Sequence, residues 1–379
     1  MSSESILPLL KQEMEASERQ GRMADGSIRR CITFRDYMNI ALHHPEFGYY
    51  RSGKVRIGRE GDFYTSAFIG DIMGGQLADW LIRLAAERFP DGEPVDVLDW
   101  GGGTGRLGSQ LLAAWRQAGE PGNRFRLTVV DDNPAHLRLA AETLAEEMAA
   151  GNASVMRTEE ANDPVWRSRQ TIVVANELLD AFPVHRVTNQ GGVLLEWGVA
   201  WDREERLASC LTEPSNPSLA AWLERQGVRL AEGQTTEIGL DGAAWMASMS
   251  ERLGSSAIIL IDYGDQTVEL TGSHRMDGTL LMYEQHRAHA DAFRHPGEQD
   301  MTAHVDFDLV RSIAVRSGWQ EQWYGTQKRF LVESGVLEKL VQHGIADPFH
   351  PIVRRNRAIR QLLLSDGMSE LFKVQIWVK

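Results

Sequence analysis

The sequence predicts an α/β protein with a mostly parallel sheet, a helical and loop segment ahead of it, and a β-rich segment inserted into it. Three observations predict this. From Val95 onward, apolar strands alternate with helical stretches. The run VLDW, residues 97–100, stops abruptly at GGGTG, residues 101–105. AIILI, Ala257 to Ile261, is wholly apolar, as a parallel strand covered on both faces must be.

Each element follows in chain order. Ser3 to Ala24 reads as a helix with Ile6, Leu9 and Leu10 on its apolar face. Thr33 can cap a second helix running to about His43, ahead of Pro45. His44 to Ser66 is rich in glycine and aromatics and reads as a long loop, either a lid or a surface excursion. Ile69 to Glu87 resumes a helical period. Then come a strand from Val95 to Trp100, a helix from Arg106 to Ala118, a strand from Phe125 to Asp131, a helix from Pro134 to Ala150 and a strand from Thr171 to Ala175. Val184 to Val199 and Val228 to Ile238 read as strands of the inserted segment. After Ala257 to Ile261 the chain offers helices at Phe307 to Ser317, Phe330 to His343 and Val353 to Leu364, then a terminal strand from Val374 to Val378. The expected division is residues 1–90 as the helical and lid segment and 91–379 as the main domain, with insertions around 184–250 and 265–305.

Composition narrows the function classes. With 40 Lys and Arg against 53 Asp and Glu, the net charge of −13 opposes a nucleic-acid backbone as the main partner. The two cysteines, Cys31 and Cys210, are too few for a disulfide framework or a zinc cluster, which points to a reducing compartment. The N-terminal stretch has no signal-peptide core and carries acids throughout, and no apolar run reaches membrane-span length. A cytoplasmic protein without membrane insertion is expected. His304 and Asp306, taken with His286 and His289, are spaced too loosely for a metal signature, and no metal is expected.

The glycine loop carries the first chemical signal. Gly101, Gly103 and Gly105 at a strand end permit a tight turn and bring backbone N–H groups and a helix N-terminus to a nucleotide-like ligand. GTGRLG, residues 103–108, formally fits a dinucleotide fingerprint, so NAD or FAD stays open. S-adenosylmethionine is favoured because the dinucleotide frame would start two residues late, and because Asp99 beside a pyrophosphate would be unfavourable whereas it can meet an ammonium group. Asp131, ending the next strand, is placed to accept ribose hydroxyls, with Asp132 and Asn133 as substitutes.

The second signal is TIVVANELLDAFPVHRV, residues 171–187. Asn176, Glu177 and Asp180 leave an apolar strand at the same sheet edge, where a carboxylate pair can hold a cationic nitrogen. Nitrogen methylation needs positioning and charge rather than a covalent nucleophile. The competing reading makes Asn176 and Asp180 caps of a turn and a helix. Tyr263, after the next strand, either walls a substrate channel or completes the core, and His304 either supports the pocket or acts as a base.

FRDYMNIALHHPEFGYY, IGREGDFYTS, LDWGGGTGRL, VVANELLDAFPVHRV, ILIDYG, GEQDMTAHVDF and YGTQKRFL occur in this order between residues 34 and 331. The chain thereby resembles the MidA-like family, whose mitochondrial member is a complex I assembly factor and protein arginine methyltransferase. The resemblance implies a class I methyltransferase fold, a Rossmann-like three-layer sandwich on a seven-stranded sheet, with S-adenosyl-L-methionine as cofactor. It implies Gly101, Gly103 and Gly105 as the cofactor loop, Asp131 as the ribose acid and Asn176, Glu177 and Asp180 as the strand-end motif. It also places Asp62, Thr65 and Ser66 in a closing loop. The chain departs from the family pattern at Ala67, Phe68 and Gly75, where a proline and two glutamates are usual. The expected acceptor is a protein arginine or a small molecule, a non-catalytic assembly role is the alternative, and a homodimer stays open.

Overall fold

The computed structural model describes residues 6–55, 71–89, 91–119, 122–285, 287–364 and 368–379. The chain forms two interleaved compact units. The first comprises Met1–Ser52, Leu179–Met246 and Gly264–Ile313, and the second Gly53–Leu178, Ala247–Tyr263 and Ala314–Lys379.

The second unit is built on a mixed sheet. Its strands stand in the order Gln320–Thr326, Phe372–Val378, Ser256–Asp265, Gln170–Asn176, Val95–Trp100, Phe125–Val130 and Ala153–Met156. Neighbours from Ser256–Asp265 to Ala153–Met156 pair in parallel, and Phe372–Val378 runs antiparallel to both of its neighbours. From Val95–Trp100 the chain moves outward on one side, then returns to place Gln170–Asn176 on the other. That reversal makes the carboxyl ends at Trp100 and Asn176 the place where an open α/β sheet leaves a crevice.

The apolar runs explain this sheet. Val95, Val97, Leu127, Val129, Ile172, Val174, Ile259, Ile261, Val374 and Ile376 lie in one buried cluster with Leu77 and Leu81 of helix Ile72–Arg88 and Leu111 and Trp115 of helix Arg106–Ala118. Leu107, Leu111 and Trp115 recur at helical spacing, which turns one face of Arg106–Ala118 inward. Gly119, at φ +69°, ends that helix, and Trp115 stacks on Phe125 with ring centroids 4.7 Å apart. Each such fully buried side chain contributes about 1.5–3 kcal/mol.

Several boundaries differ from the sequence reading. The helix expected from Pro134 to Ala150 is two, Pro134–Thr143 and Ala145–Ala149, interrupted at Leu144. Thr143 Oγ1 donates to the Leu139 carbonyl, a back-bond that bends helices. The helix expected from Phe330 to His343 begins earlier, at Gln327, because the Thr326 hydroxyl caps it by accepting from the Arg329 N–H. It ends at Glu333, before Gly335 at φ +88°. Strands Ala153–Met156 and Gln320–Thr326 were not expected, and the helix expected from Ile69 starts at Ile72 among the described residues.

The first unit holds an antiparallel sheet in the order Thr235–Ile238, His185–Gln190, Val193–Trp201, Leu207–Thr212, Gln20–Met23 and Ile28–Arg30, with Ile32–Thr33 also pairing onto Val193–Trp201. The expected helix from Ser3 to Ala24 is therefore corrected. Among the described residues it runs from Ile6 to Ala16, and Gln20–Met23 alternates exposed and buried as a strand. A Cβ on Gly21 would stand 2.3 Å from Cys210 Sγ and 3.0 Å from Cys31 Sγ, so the two buried thiols, remote in sequence, fill the space a side chain would take.

The run from Val184 to Val199 is a hairpin, turned by Gly191 and Gly192 at φ +60° and +77°. Of Val228 to Ile238 only Thr235–Ile238 is a strand, and the helices Ser218–Arg225 and Leu240–Arg252 were not foreseen. Helix Phe34–His43 is capped by Thr33, whose hydroxyl accepts from the Asp36 N–H at 3.0 Å. Leu281–Glu284, Arg287–His289 and Asp300–Thr302 form a separate small sheet.

Candidate active site

The glycine loop joins strand Val95–Trp100 to helix Arg106–Ala118. Gly101, Gly103 and Gly105 all have positive φ, at +75°, +56° and +74°, a conformation that favours glycine. The Gly101 N–H donates to the Val130 carbonyl at 2.8 Å, and the Gly103 N–H donates to Asp131 Oδ2 at 3.0 Å. At Gly101 and at Gly102 the protein itself occupies the space of a side chain. A Cβ on Gly101 would meet Leu178 Cδ1 at 2.9 Å, and one on Gly102 would meet Asp99 Oδ2 at 2.7 Å.

Asp99 lies beneath this loop with 1% exposure. Burial, and then the neighbouring charge of Asp131, push its carboxyl up to about 7, while a backbone hydrogen bond from Gly108 acts the other way. Its Oδ2 has no hydrogen-bond partner among the described residues.

Asp131 is separated from its two sequence substitutes by what each one holds. Asp132 Oδ1 accepts from the Thr158 N–H, and Asn133 caps helix Pro134–Thr143 while its Nδ2 donates to the Lys54 carbonyl at 2.8 Å. Asp131 holds the glycine loop through the Gly103 N–H. Its Oδ1 accepts from the Asn133 N–H at 2.7 Å, and its side chain is 13% exposed. Among the described residues each oxygen thus accepts one hydrogen bond, with His136 Nδ1 3.6 Å from Oδ2, and a carboxylate oxygen can accept two.

The strand Gln170–Asn176 ends in a strained turn. Glu177 has φ +53°, an unusual conformation for a non-glycine residue. Its N–H donates to the Ile261 carbonyl at 2.8 Å, and Asn176 Nδ2 donates to Glu177 Oε1 at 3.2 Å. Asn176 Oδ1 is buried without a partner among the described residues. Leu178 N–H donates to Asp262 Oδ2 at 3.1 Å, and the same carboxylate accepts from the Tyr263 N–H.

The second unit thus brings together Asp99, Gly101, Gly103, Gly105 and Asp131, and also contains Asn176, Glu177 and Tyr263. The Tyr263 ring lies on Phe372, with centroids 3.9 Å apart, against the hydrophobic core. Asp180 and His304 belong to the first unit. There Asp180 is 6% exposed in the turn Leu179–Ala181, the Ala303 N–H donates to its carbonyl, and the His304 N–H donates to Thr279 Oγ1. Asp62, Thr65, Ser66, Ala67 and Phe68 lie outside the described residues. Gly75 is described. Among the described residues, a Cβ there would meet Lys339 Nζ, at 3.8 Å.

Sequence reasoning missed the role of Asp262 and all of Leu178. Nothing local signals that Asp262 accepts from the Leu178 N–H or that Leu178 fills the space over Gly101.

The residues suit a cationic nucleotide derivative better than a dinucleotide. Two carboxylates bracket the loop, which disfavours a pyrophosphate and favours a sulfonium or ammonium group. Comparison with known proteins agrees. Residues 73–325 match a family model described as "Putative S-adenosyl-L-methionine-dependent methyltransferase". The mitochondrial protein arginine methyltransferase NDUFAF7 homolog of Drosophila melanogaster is 27% identical over 319 residues, covering 76% of this chain and 67% of that protein. Its Danio rerio counterpart is 26% identical over 341 residues, covering 82% and 74%. The crystal structure of a Burkholderia thailandensis protein bound to S-adenosyl-homocysteine superposes with a TM-score of 0.84 at 28% identity, covering 99% of this chain and 92% of that one.

Proposed function

The chain belongs to the S-adenosyl-L-methionine-dependent methyltransferase family, and from that premise we propose that it methylates a nitrogen of protein arginine by direct displacement. S-adenosyl-L-methionine is its cofactor, held by Gly101, Gly103, Gly105 and Asp131, and supplies an electrophilic methyl group on a sulfonium. Asp131 sets a negative field around that cation, and Asp99, whose carboxyl is raised to about 7, adds to it as it ionises. Glu177 holds the acceptor's cationic group, and Asn176, donating to Glu177 Oε1, orients the carboxylate. The acceptor nitrogen uses its lone pair to form the new N–C bond as the S–C bond breaks, and the proton it releases has Glu177 as its nearest proposed receiver.

The observation that carries this reading is the strained Glu177 at the end of Gln170–Asn176, a position that packing alone would give to glycine. The naming of relatives as protein arginine methyltransferases supports the acceptor class. The test is transfer of labelled methyl to peptides that differ only in carrying arginine, lysine or glutamine. Hydrolysis should yield methylarginine from the first alone. Transfer only to free small molecules would move the activity to a metabolite, and no transfer to any acceptor would favour an assembly role.

The finer fold belongs to the same proposal: a class I three-layer sandwich on a mostly parallel seven-stranded sheet, supported by the strand order around Val95–Trp100. So does a closing role for the loop from His44 to Ser66, with Asp62, Thr65 and Ser66. Its support is that Asn133 Nδ2 ties Lys54 to the turn that follows Asp131. Residence in the cytoplasm rests on the sequence. No described helix is long and apolar enough to cross a membrane.

A further inference from the structure

Strands Val95–Trp100 and Gln170–Asn176 end side by side in this unit, and their neighbour Ser256–Asp265 pairs with Gln170–Asn176 as far as Ile261 and runs on through Asp262. The middle strand cannot simply continue. Ile261 pairs with Asn176, and the Glu177 N–H still reaches the Ile261 carbonyl. With Glu177 at φ +53° the chain then leaves the ladder, and the next N–H, that of Leu178, loses its regular sheet partner. Asp262 Oδ2 accepts it at 3.1 Å. The Asp262 side chain therefore replaces the carbonyl that a continuing strand would have used. Its other oxygen accepts from the Tyr263 N–H at 2.9 Å, and the residue is 1% exposed. A buried carboxylate with two N–H donors makes charge-assisted bonds, each stronger than a neutral one.

What this fixes is the direction of Leu178. Its Cδ1 lies 2.9 Å, and its Cβ and Cγ 3.8 and 3.9 Å, from where a Cβ of Gly101 would stand. The Leu178 side chain thus packs over the first glycine of the cofactor loop, and Gly101 is bare there because Leu178 fills the space. Polar contact on one side and close packing on the other link Asp262 to Gly101 through one residue. We propose that Asp262 is a positioning residue for cofactor binding: through Leu178 it holds the glycine loop in its binding conformation and ties that loop to the turn bearing Glu177. Asp262 touches neither cofactor nor acceptor in this role. The proposal rests on the cofactor assignment and not on the identity of the acceptor.

The test is a double-mutant cycle on the affinity of the full chain for S-adenosyl-homocysteine, measured by calorimetry well below the unfolding temperature. Asn at 262 can accept from one N–H but presents its own amide protons to the other, and Ala at 178 uncovers Gly101. Asp262→Asn and Leu178→Ala should each weaken binding by about tenfold, and the double variant by no more than about twofold beyond either single, because both break the same link. Multiplying effects, or a single variant with wild-type affinity, would overturn the proposal, whatever either does to thermal stability. Should Asp262→Asn not fold, Leu178→Ala is read by amide exchange instead. Faster exchange at Gly101 and at Tyr263 together supports the link, and acceleration at one or neither overturns it. Wild-type protein that fails to bind S-adenosyl-homocysteine would instead overturn the cofactor assignment itself.

Discussion

The Gly103 amide donates to Asp131 Oδ2 at 3.0 Å, so the acid that ends the second parallel strand also holds the glycine loop that follows the first. In the proposed cofactor site, ribose recognition and loop geometry would share this one carboxylate. Asp131→Ala should weaken S-adenosyl-homocysteine binding by about 1.5–3 kcal/mol, roughly tenfold to 150-fold, because it removes a charged acceptor from both. Asp131→Asn, which keeps one carbonyl oxygen, should fall between. Calorimetry on the three proteins checks the order. Wild-type affinity in the Ala variant would remove Asp131 from the cofactor site.

Backbone strain at Glu177 predicts a reversed alanine–glycine preference. Inside helices Ala is more stable than Gly by about 1 kcal/mol. At φ +53° the order inverts, and Glu177→Gly should be more stable than Glu177→Ala by about 1 kcal/mol. Both variants lose the carboxylate, so their difference in urea unfolding isolates the backbone. Equal stabilities would show that the turn relaxes freely.

Asp99 predicts a pH dependence. Its carboxyl is raised to about 7 by burial and by Asp131, from an ordinary value of 3.8. The folded chain therefore keeps this proton over a range where the unfolded chain has lost it, and stability falls as pH rises from about 4 to 7. The slope from one such group is at most about 1.4 kcal/mol per pH unit. Asp306, raised to about 6 by its own burial, adds a slope of the same sign lower in the range. Asp99→Asn should flatten the unfolding free energy between about pH 6 and 7 and raise it at pH 7.5. An unchanged slope would mean that Asp99 is charged throughout.

Two adjacent glycines of helix Ile72–Arg88 should respond oppositely to alanine. A Cβ on Gly74 would lie 2.4 Å from Gln110 Cβ, on the helix that follows the glycine loop. Among the described residues, a Cβ on Gly75 would meet nothing nearer than Lys339 Nζ at 3.8 Å. Gly74→Ala should destabilise by about 1–3 kcal/mol through overpacking, and Gly75→Ala should stabilise by about 0.5–1 kcal/mol. Thermal unfolding decides. A destabilised Gly75→Ala would contradict the open space described there.

The parts of the fold legible in the sequence were those written in local apolar runs. VDVLDW, FRLTVV and TIVVAN are strands because they are buried on both faces, and the glycines after Trp100 mark the turn into Arg106–Ala118. Gln320–Thr326 was not legible, because a polar edge strand is held by hydrogen bonds to Phe372–Val378 rather than by an apolar pattern. Gln20–Met23 was hidden behind a helix, since its burial depends on Cys210 from far along the chain. In the site, Gly101, Asp131 and Glu177 were visible as residue types at strand ends. The φ of Glu177, the Asp262 bond to Leu178 and the packing of Leu178 on Gly101 were not, because each depends on which strands become neighbours.

Glu177 is proposed to hold a cationic nitrogen acceptor beside a cofactor bound independently of it. The most direct measurement is the initial rate of methyl transfer to an arginine peptide at subsaturating peptide, for wild type and Glu177→Gln, with S-adenosyl-homocysteine affinity measured on the same preparations. The predicted result is a fall in kcat/KM of roughly tenfold to a thousandfold, about 1.4–4 kcal/mol, with cofactor affinity unchanged within about twofold. Unchanged turnover in Glu177→Gln would contradict the account, and a collapse in cofactor affinity alongside it would place Glu177 in the cofactor site instead.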